Sequence, residues 1–216
     1  TNNHIPGRAF MKKVLFPIII TSFLFLNSGF ANKKRISANY VIKIKQLLNK
    51  NNKVSIIIHV PERSITIMSN PPITNKQAVK AYKKTVSQKI YSGKVRILMD
   101  YFGTNKRFSI VNRNNLKAIL EEHKLSQTGL LNQNNRLKIG NLAGANYILS
   151  VTHTTTVTQT LKAYLTIDKL IDISTGKELS TDEAHIQMKK ENSRMKKTYQ
   201  FNGREVNVIG NKIYEK

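Results

Sequence analysis

Two long β-rich runs, residues 147–157 and 161–173, are separated only by Thr158, Gln159 and Thr160, and this limits the fold more than any other feature. Three residues cannot carry a chain across a sheet, so the runs must pair antiparallel as a hairpin. Ser174-Thr175-Gly176-Lys177 reads as a turn, and residues 178–188 return as a third strand, giving a meander. Along the second run Leu161, Ala163, Leu165, Ile167 and Lys169 alternate with Lys162, Tyr164, Thr166 and Asp168, which predicts one wet face.

Ahead of the meander the signals alternate between strand and helix. Residues 54–60 are apolar and β-branched and end at Pro61, which suits a buried strand, and residues 64–68 read as a short second one. Asn70-Pro71-Pro72 breaks the pattern. From Thr74 as cap, helix signals run to Phe102, with Tyr91, Val95, Leu98, Met99 and Phe102 on one face and Gly93 as a point of division. Residues 108–111 read as a strand. Asn112 caps a helix in which Leu116, Ile119, Leu120 and His123 recur at helical spacing, and a shorter helix over 134–143 stops at Gly144. Residues 32–53 are basic, with Tyr40, Val41, Ile44, Leu47 and Leu48 spaced for a short amphipathic helix. From Lys189 onward the chain is polar and basic without clear periodicity until residues 206–209. The class is therefore α+β, a mixed α/β sandwich: a central mixed sheet with helices packed on it and a carboxyl-terminal antiparallel three-stranded meander.

The amino-terminal region reads as an address. Met11-Lys12-Lys13 precedes an apolar stretch from Val14 to Leu26 that closes on Gly29 and Ala31, the three parts of a secretory signal peptide. The stretch is shorter than the roughly 20 apolar residues that span a bilayer. The organisation expected is an upstream extension (1–10), a signal peptide (11–31) cleaved between Ala31 and Asn32, a basic helix or linker (32–53), one α/β domain (54–190) and a basic tail (191–216). The net charge of +24 comes from 36 Lys and Arg against 12 Asp and Glu, and removal of residues 1–31 leaves 33 bases against the same 12 acids. Outside the cytoplasm such charge meets anionic lipid and cell-wall polymer, so these surfaces are the expected partners and nucleic acid is not. A cationic nucleic-acid binder retained in the cytoplasm is the alternative from another class.

Sulfur chemistry is excluded because the chain has no Cys. Gly93-Lys94 fails as a phosphate loop, since Gln88 and Val95 occupy the positions of the required Gly and Ser or Thr. The catalytic motifs G-x-S-x-G and H-E-x-x-H are also absent, as is the dinucleotide motif G-x-G-x-x-G. His153 and His185 come near enough in the expected sheet for a two-His metal site to be conceivable, but rings on a half-buried sheet are the simpler reading. Glu121-Glu122 diverge on a helix, and Asp168 and Asp172 stand about 13 Å apart along a strand, so both pairs read as solvated charge. No catalytic residue, metal ligand or cofactor is expected.

Three segments carry a resemblance. They are Lys106 to Leu116 with Ile119-Leu120-Glu121-Glu122 and Leu125-Ser126; Gly144-Ala145-Asn146-Tyr147-Ile148-Leu149-Ser150; and Leu170 through Leu179. In this order and spacing they resemble the superfamily of the curli secretion component CsgG and the penicillin-binding-protein activator LpoB. The matched positions Arg113, Leu116, Gly144, Ala145, Asp172, Thr175 and Gly176 read as fold residues: a helix start, a helix end, and a tight turn. The resemblance implies a non-enzymatic envelope protein, either an activator of a peptidoglycan synthase or, as alternative, a curli-type outer-membrane secretion component, with oligomers possible. A pore of this kind lends membrane hairpins with an apolar lipid face, about 9 to 11 residues per strand. Residues 151–160 are dominated by Thr and no second long hairpin is expected after Met188, so the compact activator type fits better. Members usually carry a lipidated Cys after the signal peptide, where this chain has Asn32. A periplasmic location follows, soluble or held at the outer membrane by charge.

Overall fold

The computed structural model describes residues 35–50, 52–111, 143–191, 194–209 and 212–216. The chain divides into two units, a larger one within residues 37–205 and a small one whose described residues are 35–36, 206–209 and 212–216. In the small unit β1 (Arg35–Ile36) and β9 (Arg204–Ile209, from Val206 onward) each pair antiparallel with β10 (Lys212–Glu215).

The larger unit is built on a mixed sheet. β2 (Val54–His59) lies between β4 (Phe108–Ile110) and β5 (Tyr147–Val157), parallel to both. β3 (Ile65–Ser69) continues along the same edge of β5, also parallel. β5, β6 (Leu161–Asp172), β7 (Glu178–Glu191) and β8 (Arg194–Phe201) follow as an antiparallel meander. All six residues of β2 are buried, which is what a continuous apolar run means in a parallel strand covered on both faces.

Directly opposed residues share a face, so the register assigns the two sides. Ile58 and Leu149 lie on one side with Val151, Thr155, Tyr164, Asp168, Leu170 and Asp182. Both described helices pack on this side. α1 (Asn39–Asn49) buries Tyr40, Val41, Ile44 and Leu48 against β2, β6 and β7, and α2 (Lys76–Phe102) packs on β2 and β3 through residues such as Val86 and Leu98. Ile57, Ile148, Ala145 and Ile173 form the apolar cluster of the opposite side, with Val111 and Ala143 against it.

The central mixed sheet, the helices on it and the meander agree with the expected class, and several details differ. α2 is capped by Asn75, whose side chain accepts the Ala78 amide at 3.0 Å, and it runs unbroken through the buried Gly93. Met99 is 48% exposed while Leu98 is fully buried, so the contact face is rotated from the one the spacing suggests. On β6 it is the more polar set, Tyr164 to Asp168, that lies under the helices. The polar tail past Lys189 is strand: β7 continues to Glu191 and β8 adds a fourth meander strand, forming the second long hairpin that the sequence reading denied. The helix expected from Asn112, the body of the one over 134–143, Glu121-Glu122, the signal peptide and Ala31-Asn32 lie outside the described residues.

Candidate functional site: a buried ion pair and a cationic sheet end

Two polar regions stand out within the larger unit, one at each end of the meander. The first lies beneath the helices. Lys94 of α2 donates to Asp168 Oδ2 of β6, with side-chain exposures of only 12% and 6%. This corrects the reading of Asp168 as solvated charge; residues 74 apart in sequence find each other because α2 crosses the polar set of β6. The Lys94 ammonium also sits 5.3 Å from the Tyr40 ring centroid. Burial works to lower the Lys94 ammonium, but Asp168 and the Tyr40 ring's hydroxyl outweigh it and hold it above the usual lysine range. Burial pushes the Asp168 carboxyl up, against the pull of Lys94, and its Oδ1 is buried with no hydrogen-bond partner. Burial likewise pushes the Tyr40 hydroxyl up to about 12.

Next to this pair, Asp182 of β7 caps α1 from 143 residues away. Ala38 at the cap position has no side chain able to accept, so Asp182 takes the Asn39 amide at 2.8 Å and the Tyr40 amide at 3.0 Å. Asn202 Nδ2 donates to the same carboxylate at 3.0 Å. A third polar chain runs along the sheet. His153 meets the hydroxyls of Thr166 at 2.9 Å and Thr155 at 3.1 Å, stacks on Tyr164 at 6.2 Å between centroids, and Thr155 passes the chain to Tyr82 of α2 at 2.9 Å. Burial lowers the His153 pKa to about 4, so the ring is neutral near pH 7, donating through one nitrogen and accepting through the other. His185 is opposite Leu165 whereas His153 is opposite Thr166, so the two imidazoles occupy opposite faces and form no common site. Among the described residues no group of three or more His, Asp or Glu is arranged to hold a metal ion.

The second region is the far end of the meander. Here β7 and β8 carry Lys189 opposite Lys196, Lys190 opposite Met195 and Met188 opposite Lys197, with Lys162 of β6 flanking Met188. Met195 is 57% exposed. A separate open groove of about 520 Å³ lies between β3 and the start of α2, lined by Thr66, Met68, Ile73, Val79 and Lys83 among others. Lys83 is the one ionisable side chain in its lining, so the groove offers no acid-base or nucleophilic arrangement.

Of the positions singled out by resemblance, Arg113 and Leu116 lie outside the described residues. Gly144 has φ +65°, a left-handed conformation that glycine adopts without a Cβ penalty, and Ala145 is buried in the second apolar cluster. Asp172, Thr175 and Gly176 form the β6–β7 turn. The Asp172 carboxylate accepts the Thr175 amide at 3.1 Å and the Ser174 hydroxyl, its carbonyl accepts the Gly176 amide at 2.8 Å, and Gly176 has φ +69°. Partial burial opposes but does not cancel these bonds, which hold the Asp172 carboxyl below its usual range. Gly144, Ala145 and this turn cluster at the near end of the sheet, away from the cationic end.

The described architecture is thus an α+β sandwich with stabilising polar links inside and charged strand ends outside. The chain belongs to the CsgG family: the family model described as curli production assembly/transport component CsgG matches residues 48–160. No curated protein sequence matches the chain. Among solved structures it is similar to the LpoB C-terminal domain from Salmonella enterica, at 15% identity over 67% of this chain and 90% of that one, TM-score 0.37. A lipoprotein from Neisseria meningitidis matches at 15% identity over 65% and 87%, TM-score 0.41. The LpoB C-terminal domain from Escherichia coli matches at 12% identity over 67% and 93%, TM-score 0.37. Similarity at that level assigns no activity to this chain.

Proposed function

We propose that the protein is exported to the periplasm and acts there without catalysis, binding a peptidoglycan synthase and stabilising its active conformation. Membership in the CsgG family and the signal-peptide pattern at residues 11–31 support an envelope role. The observation that favours docking over pore formation is the composition of the two hairpins. Neither face stays apolar across four strands: one carries Lys162, Thr166 and Lys197 among its apolar residues, the other Thr152, Thr154, Gln187, Lys189 and Lys196. A lipid-facing barrel surface needs an uninterrupted apolar band of about 25 Å. Among the described residues no helix is long and apolar enough to cross a membrane. Activation would require an interface of ordinary size, roughly 800 Å² per partner, with affinity concentrated on the active synthase conformer. Purified protein added to a synthase is expected to raise the rate of glycan polymerisation and to co-purify with the enzyme. An unchanged rate with no co-purification rejects the proposal.

The second reading is a secretion or assembly component, favoured by the description of the matching family model. Detergent-resistant ring oligomers in the membrane fraction would select it over the first.

A further inference from the structure

We infer that the far end of the meander is a docking surface for the phosphate head groups of an anionic bilayer, with Met195 as its apolar anchor. The inference does not depend on the proposed synthase partner.

The register gathers cations at the strand end. Lys189 and Lys196 are directly opposed on neighbouring strands, both exposed, in a position where like charges destabilise the pair. On the other face Lys162 and Lys197 flank Met188 from both sides, and Lys197 Nζ lies 4.7 Å from the Tyr199 ring centroid. Lys190 and Arg194 bring the cations to six, against one acid in the sequence from 189 to 197. Both faces of the strand end are therefore positive, and the exposed Met195, 57% accessible, stands on the face of Lys162 and Lys197, directly opposite Lys190. A cationic end with one apolar side chain matches an anionic leaflet, where charge gathers the protein to the surface and a short apolar group enters the head-group region. Lysines on edge strands also guard against strand pairing between molecules, and that role alone would leave membrane affinity untouched.

The test is the ratio of affinities for phosphatidylglycerol vesicles and phosphatidylcholine vesicles, measured by co-sedimentation of the full chain at about 0.1 M salt. The ratio cancels any contribution of the apolar run at residues 14–26, which meets both vesicles alike. The wild-type ratio is expected to be well above tenfold. Each cation near an anionic leaflet strengthens binding about fivefold, so K189Q/K196Q/K197Q is expected to lower that ratio roughly a hundredfold or bring it to one. K76Q/K80Q/K84Q removes the same charge from the exposed start of α2 and is expected to change it less than fivefold. Met195→Ser is expected to weaken binding to phosphatidylglycerol vesicles roughly fivefold, with a circular dichroism spectrum identical to wild type. The inference is overturned by a wild-type ratio near one, by an unchanged ratio in the meander variant, or by an equal loss in the α2 variant. Retention on isolated cell-wall sacculi that depends on these lysines, with a vesicle ratio near one, assigns the surface to the wall polymer and overturns it as well.

Discussion

The same strands behave differently at their two ends. Under α1 and α2, Leu149, Val151 and Leu170 are fully buried and Asp182 is 1% exposed, its carboxylate tied to the distant start of α1. About 23 Å further along β7, seven residues at roughly 3.3 Å each, the positions are occupied by exposed lysines. The lesson is that strand content alone does not divide this molecule into core and periphery. What divides it is which length of each strand the helices cover, and the buried charges lie where that cover is tightest.

The sharpest break is Asp168→Ala. It leaves the Lys94 ammonium buried without its partner, and a loss of about 3–5 kcal/mol in urea unfolding is expected. Replacing the pair together, Lys94→Met with Asp168→Leu, is expected to recover most of that loss, because the orphaned Asp168 Oδ1 disappears with the charge. If the double variant is as unstable as the single one, the pair does more than neutralise itself.

Acid titration probes the polar chain through His153. With its folded pKa near 4 and an ordinary value near 6.5, the unfolded chain takes up the proton first as pH falls. Stability due to the neutral ring is thus full above pH 6.5, falls between 6.5 and 4, and is gone below 4, up to about 3 kcal/mol. His153→Gln is expected to flatten the difference curve in that window alone.

Asp182→Ala removes the remote cap of α1 and the acceptor of Asn202, with an expected cost of about 1–3 kcal/mol by chemical denaturation. Gly176→Ala forces a Cβ into a left-handed turn at φ +69° and is expected to cost about 1–2 kcal/mol. At the far end, K189Q/K196Q/K197Q is expected to change stability by less than about 0.5 kcal/mol per site, or to raise it slightly by relieving the opposed Lys189 and Lys196. That contrast with Asp168→Ala measures how unequal the two ends are.

Much of the covered half is legible in the sequence. The three-residue separation at Thr158–Thr160 dictates the β5–β6 hairpin, the apolar run at 54–59 dictates a buried strand, and helical spacing places Tyr40, Ile44 and Leu48 on one face. The links that tie these parts together are not legible, because they join residues far apart in the chain: Lys94 with Asp168, Asp182 with the start of α1. A local sign existed for the second, since Ala38 before a helix leaves amides that something must accept. β8 escapes recognition for another reason. In Arg194-Met195-Lys196-Lys197-Thr198-Tyr199 one alternating set is polar throughout and Lys197 interrupts the other between Met195 and Tyr199, so the period-two signal that apolar residues give a half-buried strand is broken. The cationic end is visible as a composition in the sequence, but only the register of β7 on β8 reveals that Lys189 and Lys196 stand directly opposite each other.

Amide hydrogen exchange followed residue by residue along β5 to β8 tests this division most directly. The account predicts the slowest exchange, approaching global unfolding, at Leu149, Val151, Leu170 and Asp182, and exchange through local opening at Met188, Met195 and Lys197. Equal protection along the whole length of these strands would contradict it.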